Sequence, residues 1–141
     1  MDILEKTVEA KVENLHEVLG FLEEQLELHE ASMKVINVMS ISVEEMYANV
    51  CMYAYAEQEK PGDCTMRISF EGEDVIVSLI DSGMEFNPLA KDDPNIHAAA
   101  EERGIGGLGI FMVKKYMDEC SYVREDGKNI FTMRKALRWQ I

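Results

Sequence analysis

Val43-Glu44-Glu45-Met46-Tyr47-Ala48-Asn49-Val50-Cys51-Met52 lies inside the longest helical pattern of the sequence and sets a carboxylate and a carboxamide among apolar residues. At about 100° per residue, Val43, Met46, Tyr47, Val50 and Ala54 share one side of the helix. Val38, Ile41, Ala48, Met52 and Ala56 form a second apolar side, nearly opposite, and Ser40, Glu44, Cys51 and Tyr55 fill the strip left for water. A helix apolar on two sides is expected to be mostly buried. Glu45 and Asn49, one turn apart, project from the second apolar side, where polar groups cost free energy unless something satisfies them. Two readings are open at this point: a structural pair satisfied within the protein, or a pair held for a ligand.

The rest of the chain frames that helix. Ile3 to Ala10 alternates as a short edge strand, and Val12 to Leu28 repeats Leu15, Val18, Leu19, Leu22 and Leu26 at helical spacing. The long helix is expected from about Lys34 to Glu57, closed by Pro61-Gly62. Met66, Ile68 and Phe70 alternate with polar residues, Glu71 to Asp74 turns, and Val75 to Ile80 reads as a central strand of an antiparallel hairpin. Asp81 has the parity of Val75, Val77 and Leu79, so its carboxylate is directed to the side those three bury. Asn87 to Arg103, with Pro88 and Pro94, reads as a lid or binding loop. Leu108 to Met117 is a helix, and Ser121 to Glu125 and Lys128 to Lys135 form a hairpin turned by Asp126-Gly127. Hairpins with helices between them indicate an α+β two-layer sandwich: one mainly antiparallel sheet with helices on one face, within a single domain over residues 1–141.

Composition narrows the partners. A chain of 141 residues, 47% apolar and 29% charged, is that of a soluble globular domain. Twenty-seven acidic against 14 basic residues give a formal charge of -13, which repels nucleic acid and anionic membrane. Three cysteines with no Cys-x-x-Cys read as free thiols in a reducing compartment. With no spanning apolar run and no leader, the expectation is a cytoplasmic protein.

Gly104-Ile105-Gly106-Gly107-Leu108-Gly109 opens the third helix. Glycines let backbone N–H groups approach an anion, and a helix N-terminus favours negative charge. The segment is read either as a phosphate site or as a hinge between lid and helix. Its fit to the dinucleotide fingerprint fails on context, because no strand precedes it within a β-α-β unit. Asp81-Ser82-Gly83-Met84-Glu85-Phe86 is a turn straight after a buried strand. It is either structural or a place where Asp81 accepts from an amino group beside a flat ring.

The order E-x-x-x-N on a helix, D-x-G-x-x-F after a strand and G-x-G-G-x-G opening a helix resembles the N, G1 and G2 boxes of the GHKL (Bergerat-fold) ATPase superfamily. The likeness is greatest to the small anti-sigma-factor serine/threonine kinases of bacterial partner-switching systems. That resemblance implies Glu45 as general base, Asn49 as the Mg²⁺ ligand, and Asp81 as acceptor for the adenine amino group with Gly83 beside the ring. It implies ATP contacts from Phe86 and from Gly104, Gly106, Gly107, Leu108 and Gly109, with Arg103 on the terminal phosphate. It also implies a sigma factor and a STAS-type antagonist as partners, and a homodimer. The alternative is a nucleotide-binding regulatory module that transfers no phosphate. A histidine-kinase catalytic domain is a weaker third reading, for want of dimerisation helices. Where many members carry a His-Ala-Tyr-like run after the N box, this chain has Tyr53-Ala54-Tyr55.

Overall fold

A computed structural model describes residues 2–90 and 107–138. Five strands form one fully antiparallel sheet: β1 (Leu4–Glu9), β2 (Asp63–Glu71), β3 (Asp74–Asp81), β4 (Glu119–Glu125) and β5 (Lys128–Ala136), in the spatial order β1-β2-β3-β5-β4. Among the described residues the α-helices are α1 (Leu15–Leu28), α2 (Met33–Asn49) and α3 (Gly107–Tyr116). This is the expected two-layer sandwich.

Alternation decides which face is covered. Cys64, Met66 and Ile68 on β2, Val75, Val77 and Leu79 on β3, and Phe131 and Met133 on β5 are all buried, and they form one core with Val18, Leu22 and Leu26 of α1 and Val35, Met39, Val43 and Met46 of α2. The opposite face is knitted by polar pairs: Thr7 to Thr65 (2.7 Å), Ser78 to Thr132 (2.7 Å), Arg67 to Glu5 (2.8 Å) and Arg134 to Asp74 (2.7 Å). A period-two strand turns its apolar set to the helix side, and only in the central β3 are residues of the other face, Ser78 and Ile80, buried as well. The β4–β5 turn has Asp126 at φ 52° and Gly127 at φ 76°, the double left-handed conformation that an Asp-Gly hairpin turn requires.

The helix of Val43 to Met52 departs from expectation in two ways. Its second apolar side is not buried throughout: Ile41 and Met52 are each 50% exposed and Ala56 is exposed, because α1 and α3 flank α2 and leave an outer stripe open. The α-helix also ends at Asn49, and Val50–Ala54 continue as a π turn. The wider turn takes up an extra residue and rotates the chain beyond it, so Tyr55, expected in the wet strip, is buried. Its hydroxyl donates to the Asp63 carbonyl (2.6 Å) and accepts from the Ser82 N–H (2.8 Å). Glu44 is exposed, as its angle on the helix suggested.

The same π turn meets the chain leaving β3. Met84 N–H donates to the Ala54 carbonyl at 2.9 Å, and a Cβ at Gly83 would fall 2.2 Å from that carbonyl oxygen. Backbone cannot yield as a side chain can. Gly83→Ala is therefore expected to cost about 1–3 kcal/mol by overpacking. Gly20, on the exposed side of α1 with nothing within 4 Å of its would-be Cβ, is the counter-case. There an alanine should stabilise by about 0.4–1 kcal/mol. Urea unfolding of the two variants checks both signs; equal midpoints would refute this packing.

Candidate functional site

A cleft of about 440 Å³, counting its open mouth, lies between the end of α2 and the ends of β3 and β5. Met46, Asn49 and Tyr53 line it from the helix side, Leu79 and Asp81 from the central strand, and Met84 and Phe86 from the turn after it. Asn129, Phe131 and Tyr122 complete the far wall. Most of this lining is apolar, with a few polar groups converging on it, the composition of a small-molecule site.

Asp81 is 6% exposed. In the sheet it stands between Cys64 of β2 and Asn129 of β5. Its Oδ1 accepts from the Gly83 N–H and from Asn129 Nδ2, both at 2.9 Å. Among the described residues both side-chain hydrogen bonds of Asp81 fall on Oδ1 and none on Oδ2, and Asp81 lines the cleft. The neighbouring Cys64 thiol is pushed up to about 12, first by burial and then by the Asp81 charge, so it stays a thiol and adds no second anion at neutral pH.

Asn49 ends α2 with its Nδ2 buried and unpartnered, and the Tyr53 hydroxyl is likewise buried without a partner. An orphaned buried amide is rare in a folded protein and calls for a ligand or an ion. Asn49 Nδ2 has no partner among the described residues, and turning the terminal torsion would exchange donor for acceptor at the cleft. The amide thus fits a hard cation bound mostly by phosphate and water, which asks few ligands of the protein.

Glu45, one turn back and half-buried, rests against the first turn of α3: a Cβ at Gly109 would lie 2.2 Å from its Oε2. Gly109 is the third residue of α3, so the carboxylate sits where unpaired helix N–H groups favour negative charge. Gly107 and Leu108 begin that helix. Arg103, Gly104 and Gly106 lie outside the described residues. Of the residues singled out in the sequence, Asn49, Asp81 and Phe86 line one cleft, while Glu45 touches Gly109 one helical turn along from it. Gly83 is buried against Ala54, so the need for glycine there is met by close packing with the helix end.

Sequence reasoning passed over Asn129 and Tyr122. Asn129 is buried, and its Oδ1 accepts from the Tyr122 hydroxyl at 2.6 Å and the Phe86 N–H at 3.3 Å. The signal was present: Asn129 shares strand parity with Phe131 and Met133, the same misplacement that marked Asp81. Arg124 adds a further brace, donating from Nη1 to the Gly83 carbonyl at 2.9 Å.

Serine-protein kinase RsbW of Staphylococcus epidermidis is 25% identical over 119 residues, spanning 79% of this chain and 72% of that protein. RsbW of Staphylococcus aureus is 28% identical over 107 residues, spanning 70% of this chain and 64% of the relative. Among solved structures, the RsbU and RsbW domains of a Mycobacterium tuberculosis protein align with a TM-score of 0.68 at 18% identity, over 100% of this chain and 35% of that one. The SiaB–SiaC complex of Pseudomonas aeruginosa aligns with a TM-score of 0.61 at 19% identity, over 94% of this chain and 88% of the other. Those two likenesses concern the fold. The histidine kinase-like ATPase domain family matches residues 8–135, nearly the whole sequence, and this chain belongs to it.

Proposed function

We propose that this chain is an ATP-dependent protein-serine/threonine kinase of the anti-sigma type, acting as one domain on a serine of a STAS-type antagonist and holding a sigma factor as its other partner. The observation that carries this reading is the meeting of Asp81 and the orphaned Asn49 in one cleft, with the Glu45 carboxylate one turn away on the first turn of α3. Membership of an ATPase family and relatives named as serine-protein kinases support it. The SiaB–SiaC complex, in which a protein of the same fold is paired with a second protein, supports a protein partner. Cys51, Cys64 and Cys120 are free, and no described helix is long and apolar enough to cross a membrane, which suits a protein of the cytoplasm.

The roles follow from the chemistry of each group. Asp81 Oδ2 accepts from the adenine amino group, and Phe86 lies along the apolar wall. Asn49 would hold Mg²⁺ through its amide oxygen, and the metal would supply charge neutralisation for the phosphates. That offset matters in a chain of formal charge -13. The N-terminal N–H groups of α3, with Gly107 and Gly109, face the phosphates; Arg103, Gly104, Gly106 and Leu108 belong to the same segment. Glu45 takes the proton of the serine hydroxyl as its oxygen bonds to the terminal phosphorus and the bond to ADP breaks. Transfer of this kind is mostly positioning and charge neutralisation.

Magnesium-dependent ATP binding followed by calorimetry tests the cleft. Asp81→Asn and Asn49→Ala should each weaken binding at least tenfold, and parental affinity in both would refute the assignments. Glu45→Gln should bind ATP within about threefold of the parent while serine phosphorylation of an antagonist falls by about 10²–10⁴. Gly109→Ala should also lower transfer, with little loss of stability, because its Cβ displaces the tip of the flexible Glu45 side chain. Undiminished transfer by Glu45→Gln would dismiss it as the base, and absence of transfer by the parent would leave a nucleotide-binding regulator.

A further inference from the structure

Asn129 makes more side-chain hydrogen bonds than any other residue of the cleft, and none of the three motifs includes it. It opens the inward row of β5 directly opposite Asp81 and is 6% exposed. Its Nδ2 donates to Asp81 Oδ1 at 2.9 Å and to the Met84 carbonyl at 2.8 Å. Its Oδ1 accepts from the Tyr122 hydroxyl at 2.6 Å and the Phe86 N–H at 3.3 Å. Two of these partners have no choice of role. The Phe86 N–H can only donate and the Met84 carbonyl can only accept, so turning the amide over would lose both. The end facing Asp81 is therefore fixed as the donor.

We propose that Asn129 is the positioning residue that selects a 6-amino purine: by donating to Asp81 Oδ1 it fixes the carboxylate's orientation, so that Oδ2 is presented to the base as the acceptor. This rests on the ATP reading above. With Gly83 N–H as the second donor on Oδ1, the carboxylate is held from strand and turn together. A 6-amino group can donate to Oδ2, whereas a 6-oxo group presents a lone pair to a lone pair. Without Asn129 the carboxylate keeps one anchor, on its own turn, and can swing or take another partner. The Met84 carbonyl and Phe86 N–H also tie the turn to β5 through this one side chain, so base recognition and turn placement share a support.

The experiment compares two nucleotides, ATP and purine riboside triphosphate, which differ only in the 6-amino group. Affinities are measured with magnesium on the parent, Asn129→Asp and Asn129→Ala. Partial unfolding of a variant lowers both affinities alike, so their ratio reports the folded cleft alone. In the parent the ratio should be about tenfold to a hundredfold in favour of ATP, the size of one hydrogen bond to a charged group. In both variants it should fall to within about threefold of unity. Parental ratios in the variants would overturn the role of Asn129 and leave the ATP reading standing. A parent that binds both nucleotides alike would overturn this proposal together with the Asp81 contact to the amino group, and one that binds neither would overturn the ATP reading itself.

Discussion

A carboxylate buried at the end of a central strand is the constraint around which this molecule is arranged. Asp81 could not stay there unassisted, since an unpaired buried charge costs several kcal/mol. The topology supplies help by inserting β5 between β3 and β4, which brings Asn129 directly alongside. The turn after β3 folds back so that its own Gly83 N–H reaches the same oxygen. Both donors are spent on Oδ1, and the protein leaves the other oxygen at the cleft wall. The fold thus satisfies one oxygen of the group from two sides, and the proposed role of the site falls to the other.

The helix side of the cleft follows a similar logic by different means. A π turn of Val50–Ala54 replaces the last turn of α2, a rare feature that often marks functional sites. Its wider spacing presents the Ala54 carbonyl to Met84 N–H and swings Tyr55 inward to brace Asp63 and Ser82. Just ahead of and within that turn, Asn49 and Tyr53 keep buried polar atoms without partners. Buried polar atoms without partners cost stability, and in the proposed function a ligand satisfies them. Family membership gives this pattern its context, because an ATPase needs one wall for a base and another for phosphates.

Much of this was legible in the residues. The parity of Val75, Val77 and Leu79 put Asp81 inward, and Asp126-Gly127 fixed the last hairpin, because strand period and turn chemistry are local rules. Tyr55 was not legible: a fixed 100° step carries it to the solvent side, and nothing in Val50–Ala54 announces the wider turn. Ile41 and Met52 misled in the opposite direction, since apolar residues are also tolerated on an open stripe. Asn129 could have been found by the parity rule that found Asp81. What no local rule gives is its four partners, drawn from β3, β4 and the turn, which only the strand order brings together.

The central claim is that helix, strand turn and α3 serve one nucleotide. Amide NMR during titration with magnesium and a non-hydrolysable ATP analogue tests it most directly. The Asn49 side-chain amide and the backbone N–H groups of Gly83 and Gly109 should all shift, with a single shared dissociation constant. Shifts confined to one of the three segments, or following different constants, would contradict it.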